Sequence, residues 1–330
     1  MPDRPMPLFS RLLLLLMIIL LSACVETDSV KPAFVIENAH SSGSLVAVDA
    51  QRPLAASAGL EGTLSLWDLE TGRQLAAWKG HQGTVNGLAL SSRQARLVSG
   101  SWDGTLAAWN LQGKLIRRVS AGAPVTAMAS TEDLTRIWTG HADGTLRLWN
   151  GELALLGERR VPVKKRITAL ALAGEYLAAA DSGGNLWLFD GPGEQEPRRL
   201  ASLPAYLRTL VFNSDGSELF GGSCSWFQIY RWNPRSGEMT RLDTPHRGII
   251  ASLAWSPSGH ELMSISRQTD SSVLALDPGS GALREDYGKH DLCGASVAVT
   301  ADGRYLITTS DDASVRIWHL DPNGVREIRP

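Results

Sequence analysis

A short strand-like segment centred on a bulky apolar residue returns seven times along the chain: SLWDL at Trp67, AAWNL at Trp109, RLWNG at Trp149, WLFDG at Phe189, YRWNP at Trp232, LALDP at Leu276 and RIWHL at Trp318. The intervals are 42, 40, 40, 43, 44 and 42 residues. A chain of 330 residues exceeds the usual size of one hydrophobic core, so it must divide or repeat, and the near-constant interval says that it repeats. Six residues before each of these anchors stands a turn: Glu61 in EGT, Asp103 in DGT, Asp143 in DGT, Gly183 in GGN, Trp226 in SWF, Asp270 in DSS and Asp312 in DAS. Asp-Gly is a hairpin signal because both of its positions accept positive φ. Upstream of each turn lie runs such as RLVSGS, YLAAAD and YLITTS, and upstream again VNGLAL, VTAMAS, ITALAL and their equivalents. With an outer run such as QLAAWK or KLIRRV, each unit supplies four short strands.

A period of about 40–45 residues is that of a four-stranded blade. The expected fold is therefore all-β, a seven-bladed β-propeller of four-stranded antiparallel blades. Thirty-two glycines, eleven tryptophans and only 20% charged residues suit many tight turns between short buried segments. Closure needs a strand to cover the open edge of the last blade. AFVIE at residues 33–37 is the expected closing strand, and VREI near the C-terminus is the competing candidate.

On these residues the chain resembles the WD-repeat family over about residues 33–330. The resemblance implies a tetrad in each blade: a histidine before the innermost strand, a serine or threonine on the second strand, the turn aspartate and the anchor tryptophan. His81, Ser99 or Ser101, Asp103 and Trp109 match it in the second unit, and His290, Thr309, Asp312 and Trp318 in the seventh. Units one and six match in part, through His40 with Trp67 and His246 with Asp270. Units three, four and five lack the histidine, so apolar packing is expected to hold them. The tetrad reads as structural and not as a catalytic triad, because a buried polar group left without a partner costs ~1–3 kcal/mol.

The resemblance also implies that the loops leading into the innermost strands share one face with the turns between second and third strands, and that partners dock there. By this mapping Trp102, Asp311, Thr269 and the pair Ser225 and Trp226 face outward. The loops add Lys165, Arg166, Tyr206, Arg208 and Arg247. The stretch ERRVPVKKR places five basic residues between positions 159 and 166.

The N-terminus reads as an address. Arg4 and Arg11 precede ten unbroken apolar residues, 12–21, and the small residues Ser22 and Ala23 lead to Cys24. That is the layout of a secretory signal. The string LSAC resembles the lipobox of bacterial lipoproteins, which implies removal of residues 1–23 and acylation of Cys24. A short tether, 24–32, then precedes the propeller, 33–330. Val25 after the cysteine implies an outer-membrane destination facing the periplasm. Fully extended, residues 25–32 would reach less than about 30 Å, so the folded body would sit near the bilayer.

Formal charge is −2, from 32 basic and 34 acidic residues, which gives no global reason to expect nucleic acid. Cys224 and Cys293 lie two units apart and are expected to be buried free thiols. No metal-ligand spacing and no cofactor motif is present. The leading expectation is thus a non-catalytic scaffold that binds other envelope proteins through its loop face and the membrane through acylated Cys24. The alternatives are a periplasmic enzyme or small-ligand receptor using the central channel, and an accessory factor in outer-membrane protein assembly.

Overall fold

The computed structural model describes residues 29–191, 196–225, 227–257 and 260–320. They form twenty-eight strands in seven four-stranded antiparallel sheets arranged as a propeller. Blades 1 to 6 span residues 43–79, 85–120, 125–160, 167–202, 207–242 and 250–289, each with its strands in sequence order. Blade 7 takes three strands from residues 294–319 and its outer strand from Phe34–Ile36. No helix among the described residues is long and apolar enough to cross a membrane.

The reason for the ring lies in the faces of the blades. Side chains alternate along a strand, and a blade between two neighbours buries both faces. In blade 2, Ala107 and Trp109 join the core shared with blade 1, whereas Leu106 and Ala108 join the core shared with blade 3. The same division recurs around the molecule, giving seven apolar clusters, one at each junction. In every junction the anchor residue packs against the preceding blade: Trp109 on blade 1, Trp149 on blade 2, Phe189 on blade 3, Trp232 on blade 4, Leu276 on blade 5, Trp318 on blade 6 and Trp67 on blade 7. The repeat seen in the sequence is thus the repeat of an interface.

Closure comes from the N-terminal side. Phe34, Val35 and Ile36 pair antiparallel with Ile317, Arg316 and Val315. The preceding residues are tied down as well: the Val30 amide donates to the Asp286 carbonyl at 2.8 Å, and Trp318 Nε1 donates to the Val30 carbonyl at 2.9 Å. The competing VREI segment lies outside the described residues.

Two irregularities recur with the blades. The residue after each turn position has a left-handed φ, from Gly62, Gly104, Gly144 and Gly184 to Phe227, Ser271 and Ala313. Glycine adopts this conformation without steric cost, and the last three residues do not. The second irregularity is a bulge at the second residue of every innermost strand, a device that re-aims a side chain.

The turn conformation yields a paired prediction. Ala313→Gly, at φ 68°, should raise stability by about 1 kcal/mol by relieving left-handed strain. Gly184→Ala should lower it by more than that, because the new Cβ would stand 2.2 Å from the Leu203 carbonyl oxygen. Urea unfolding of both variants checks this; the opposite order of midpoints would contradict it.

Candidate interaction face

Each blade must satisfy the indole or polar groups that its packing buries. In blade 2, His81 Nε2 lies 2.7 Å from Ser99 Oγ, which accepts the Trp109 Nε1 proton at 2.9 Å. His81 Nδ1 faces Asp103 Oδ2 at 3.1 Å. Ser99 therefore fills the hydroxyl position, and Ser101 instead donates to the Gly83 carbonyl. In blade 7, His290 stands 3.0 Å from Asp312 and 2.8 Å from Thr308 Oγ1. The hydroxyl is that of Thr308 and not of Thr309, whose buried Oγ1 has no partner among the described residues. Adjacent strand residues point to opposite faces, so a one-residue difference in assignment selects the wrong side. Trp318 donates to Val30 and not to the threonine.

Blades 1 and 6 are more complete than their sequences suggest. His40 contacts Ser57 at 2.6 Å and Thr63 at 3.1 Å, and Trp67 donates to Ser57 at 2.7 Å. Glu61 takes the aspartate's place and accepts from Ser41 and Thr63. His246 contacts Ser264 at 2.7 Å and Asp270 at 3.3 Å, with Leu276 at the anchor position.

Blades 3 and 4 correct the expectation that apolar packing alone holds them. His141 ends the second strand of blade 3, contacts Thr139 Oγ1 at 2.8 Å and the Ala123 carbonyl at 3.0 Å, and Trp149 donates to Thr139 at 2.9 Å. Asp181 ends the second strand of blade 4, fully buried, and accepts from Trp187 Nε1 at 2.9 Å and from Asn185. Both sit opposite the first residue of the innermost strand, where blades 2, 5, 6 and 7 have Ser101, Ser223, Ser266 and Ser310 and blade 1 has Gly59. The polar group has moved from the loop to the strand end. An alignment of the seven second strands would have shown a histidine and an aspartate where the others carry serine or glycine. In blade 5 the equivalent position, opposite Tyr230 and eleven residues before Trp232, is Gly221, and the buried Trp232 Nε1 has no partner among the described residues.

Burial favours the neutral imidazole and pulls His40, His81 and His141 below the ordinary histidine value of 6.5. Burial would push the Asp103 carboxyl up, but hydrogen bonds from Thr105 and the Gln82 amide outweigh it and hold the carboxyl below 3.8. Asp270 and Asp312 are likewise depressed against burial, by bonds from their histidines and neighbouring serines and amides.

The loops leading into the innermost strands and the turns between second and third strands share one end of the propeller. Trp102 is 46% exposed there. It lines a cleft of about 250 Å³ with Arg166, Tyr206, Arg208, Asn86, Thr126, Ile167 and Thr168. Lys165, Arg247 and Thr269 are exposed on the same face, and Thr269 donates to the Arg247 carbonyl. Asp311 is half-buried and already engaged, with Arg267 at 2.5 Å and Ser42 at 3.1 Å. Ser225 is half-buried, while Trp226 and Cys24 lie outside the described residues. Cys224 and Cys293 are free thiols but half-buried, not fully buried as expected. They stand in loops of this face, where the Cys224 amide donates to the Tyr206 carbonyl and the Cys293 carbonyl accepts from Asp311.

The central channel, about 600 Å³, is lined by innermost strands with small, aliphatic and hydroxyl side chains such as Ala127, Ala169, Thr209 and Ser296. Its charged lining is Arg208 with the Arg267 and Asp311 pair. No group of three or more His, Cys, Asp or Glu suited to a metal ion occurs among the described residues.

With this geometry in hand, comparison with known proteins agrees on the repeat type. Residues 72–110 and 290–319 match the WD40 family (WD domain, G-beta repeat), and these two stretches contain Trp109 and Trp318. The chain is similar to a 66 kDa stress protein of Physarum polycephalum, 22% identical over 72% of this chain and 39% of that protein. It is similar to the B-type cell cycle switch protein ccs52B of Medicago truncatula, 24% identical over 44% of this chain and 30% of the relative. It is also similar to DDB1- and CUL4-associated factor 13 of Xenopus laevis, 26% identical over 43% and 32%. The matches thus span well under half the length of these curated relatives.

The lowered histidines give a signed pH dependence. The unfolded chain binds protons on these imidazoles more readily than the fold does, so stability is full above about pH 6.5 and falls as the pH drops below it. The tetrad carboxylates add a second loss below about pH 3.8. Urea unfolding should give a lower free energy at pH 5.5 than at pH 7.5. His141→Asn should cost ~1–3 kcal/mol at pH 7.5 and narrow that difference, and equal stability of the wild type at both pH values would contradict the assignment.

Proposed function

We propose that this chain is a non-catalytic interaction scaffold that holds partner proteins against its loop face. The observation that carries the reading is Trp102, a half-exposed indole at the mouth of the channel with Tyr206 and Arg208 in the same cleft. Aromatic and arginine side chains supply most of the binding energy in protein interfaces, and a large apolar ring held in water is the usual mark of one. Similarity to a protein whose name describes association with DDB1 and CUL4 supports the same reading. A rigid ring of loops is suited to this work because its docking surfaces need no ordering when a partner arrives.

We further infer that the scaffold works at a bacterial envelope. Residues 1–23 would be removed as a lipoprotein signal, Cys24 acylated, and the protein held on the periplasmic side of the outer membrane. Stable attachment through one cysteine requires more than one acyl chain. Support comes from the sequence around Cys24, and the bonds of Val30 to Asp286 and Trp318 fix where the chain leaves the propeller, at blades 6 and 7. Ser29 is five residues from Cys24, at most about 17 Å of extended chain. That short reach would keep the rim of blades 6 and 7 beside the bilayer.

Trp102→Ala tests the scaffold reading. Crosslinking in native envelopes should yield severalfold less of the partner adducts than the wild type gives, with an unchanged melting temperature. Unchanged adducts would contradict the role of this face. Mass spectrometry of the same preparation should find the mature chain beginning at diacylated or triacylated Cys24, and an unmodified N-terminus elsewhere would refute the tether.

A further inference from the structure

In blades 2 to 7 the bulge at the second residue of the innermost strand turns one side chain toward the channel mouth. The sequence at those positions divides the mouth in two. Blades 2 to 5 present Asn86, Thr126, Thr168 and Arg208, whereas blades 6 and 7 present Ala251 and Ala295. The polar side is braced: Asn86 Nδ2 donates to the Val125 carbonyl of the next blade at 3.0 Å, and Thr168 Oγ1 to the Leu207 carbonyl of the next at 2.7 Å. The wall of the cleft is therefore set before any partner arrives.

Charge divides in the same way. On the small-residue side Arg267 is neutralised by Asp311 at 2.5 Å. On the polar side Arg166 and Arg208 are exposed, and among the described residues neither has a carboxylate within ion-pair distance. Among the described residues no acidic side chain lines their cleft, and Lys164, Lys165 and Arg247 are exposed on the same face. Other arginines of this chain are ion-paired, as Arg147 with Glu158 and Arg284 with Asp277 show. Two unpaired guanidinium groups beside a half-exposed indole thus form a site with positive potential and an apolar wall.

We propose that this sector receives a short acidic segment of a partner protein, with an aspartate or glutamate carboxylate between Arg166 and Arg208 and a neighbouring apolar side chain against Trp102. The proposal rests on the scaffold reading and adds the chemistry of the partner. A planar guanidinium fork matches a carboxylate in a bidentate contact. At about 250 Å³ the cleft is smaller than the usual small-ligand pocket, and it holds one or two side chains of a longer chain that continues across the face. A lipid headgroup layer, being flat, fits protruding residues better than a recess at a channel mouth.

The test uses the full chain and a dye-labelled peptide of glutamate and phenylalanine, read by fluorescence anisotropy at low salt. A peptide with lysine in place of glutamate and vesicles of anionic phospholipid serve as the other probes. The acidic peptide should bind, and Arg208→Glu should weaken it on the order of tenfold. Trp102→Ala should weaken it severalfold, and added salt should weaken it further. Arg93→Glu, on the opposite face, should leave binding unchanged, and equal melting temperatures exclude misfolding. Equal binding by wild type and Arg208→Glu, or wild-type binding to vesicles alone, would overturn the proposal. A photocrosslinker at position 102 separates the two readings. Adducts on an acidic segment support both, adducts on a neutral or basic segment overturn this proposal and leave the scaffold standing, and no adduct with no peptide binding removes both.

Discussion

The structure depends on the pairing of residues 34–36 with residues 315–317. Each blade is stabilised by its neighbours, since its anchor residue is buried against the blade before it. In a linear array the last blade would expose an edge and the first would leave Trp67 without a preceding blade. The N-terminal strand removes both faults at once. It completes blade 7, and Phe34 and Ile36 add to the core in which Trp67 meets Ile307, Val315 and Ile317. Trp318 extends the link by reaching back to Val30 for its hydrogen bond. The two ends of the chain are therefore coupled, and an even distribution of burial around the ring follows from that coupling.

Within this frame the blades solve one problem in different ways. Burying an anchor tryptophan also buries an indole N–H, and an unpaired donor in a dry junction is costly. Blades 1, 2 and 3 pair it with the hydroxyl ten residues earlier, at Ser57, Ser99 and Thr139. Blade 4 places phenylalanine at the anchor and serves a second indole, Trp187, through Asp181. Blade 6 avoids the donor with Leu276, and in blade 5 the Trp232 donor has no partner among the described residues. The ring tolerates this variety because the apolar junctions, and not the tetrads, hold neighbouring blades together.

Much of this was legible in the sequence. The interval between anchors specified the number of blades, and the turn at a fixed distance specified the strand order. The polar support of blades 3 and 4 was hidden because His141 and Asp181 stand at the end of a strand and not in the loop where the repeat pattern places a histidine. Thr308 was hidden by an adjacent threonine of the same chemistry, although the ten-residue interval from Trp318 identifies it. The partner of Trp318 was unreadable, because a backbone carbonyl 288 residues away leaves no trace in local pattern. The outward placing of Trp102 is what the resemblance to the WD-repeat family implies for the residue before the turn aspartate, and the structure leaves Trp102 exposed but Asp311, at the same place in blade 7, half-buried against Arg267. The joint cleft of Trp102 with Arg166 and Arg208 combines three blades and emerges only when the ring is closed.

Amide hydrogen exchange on the full chain and on a chain lacking residues 29–36 tests the closure most directly. The account predicts that the shortened chain loses protection in Val315–His319 and across the junction around Trp67, while the strands of blade 3 keep theirs longest. Unchanged protection in Val315–His319 would mean that the ring does not depend on its N-terminal strand, and would contradict the account.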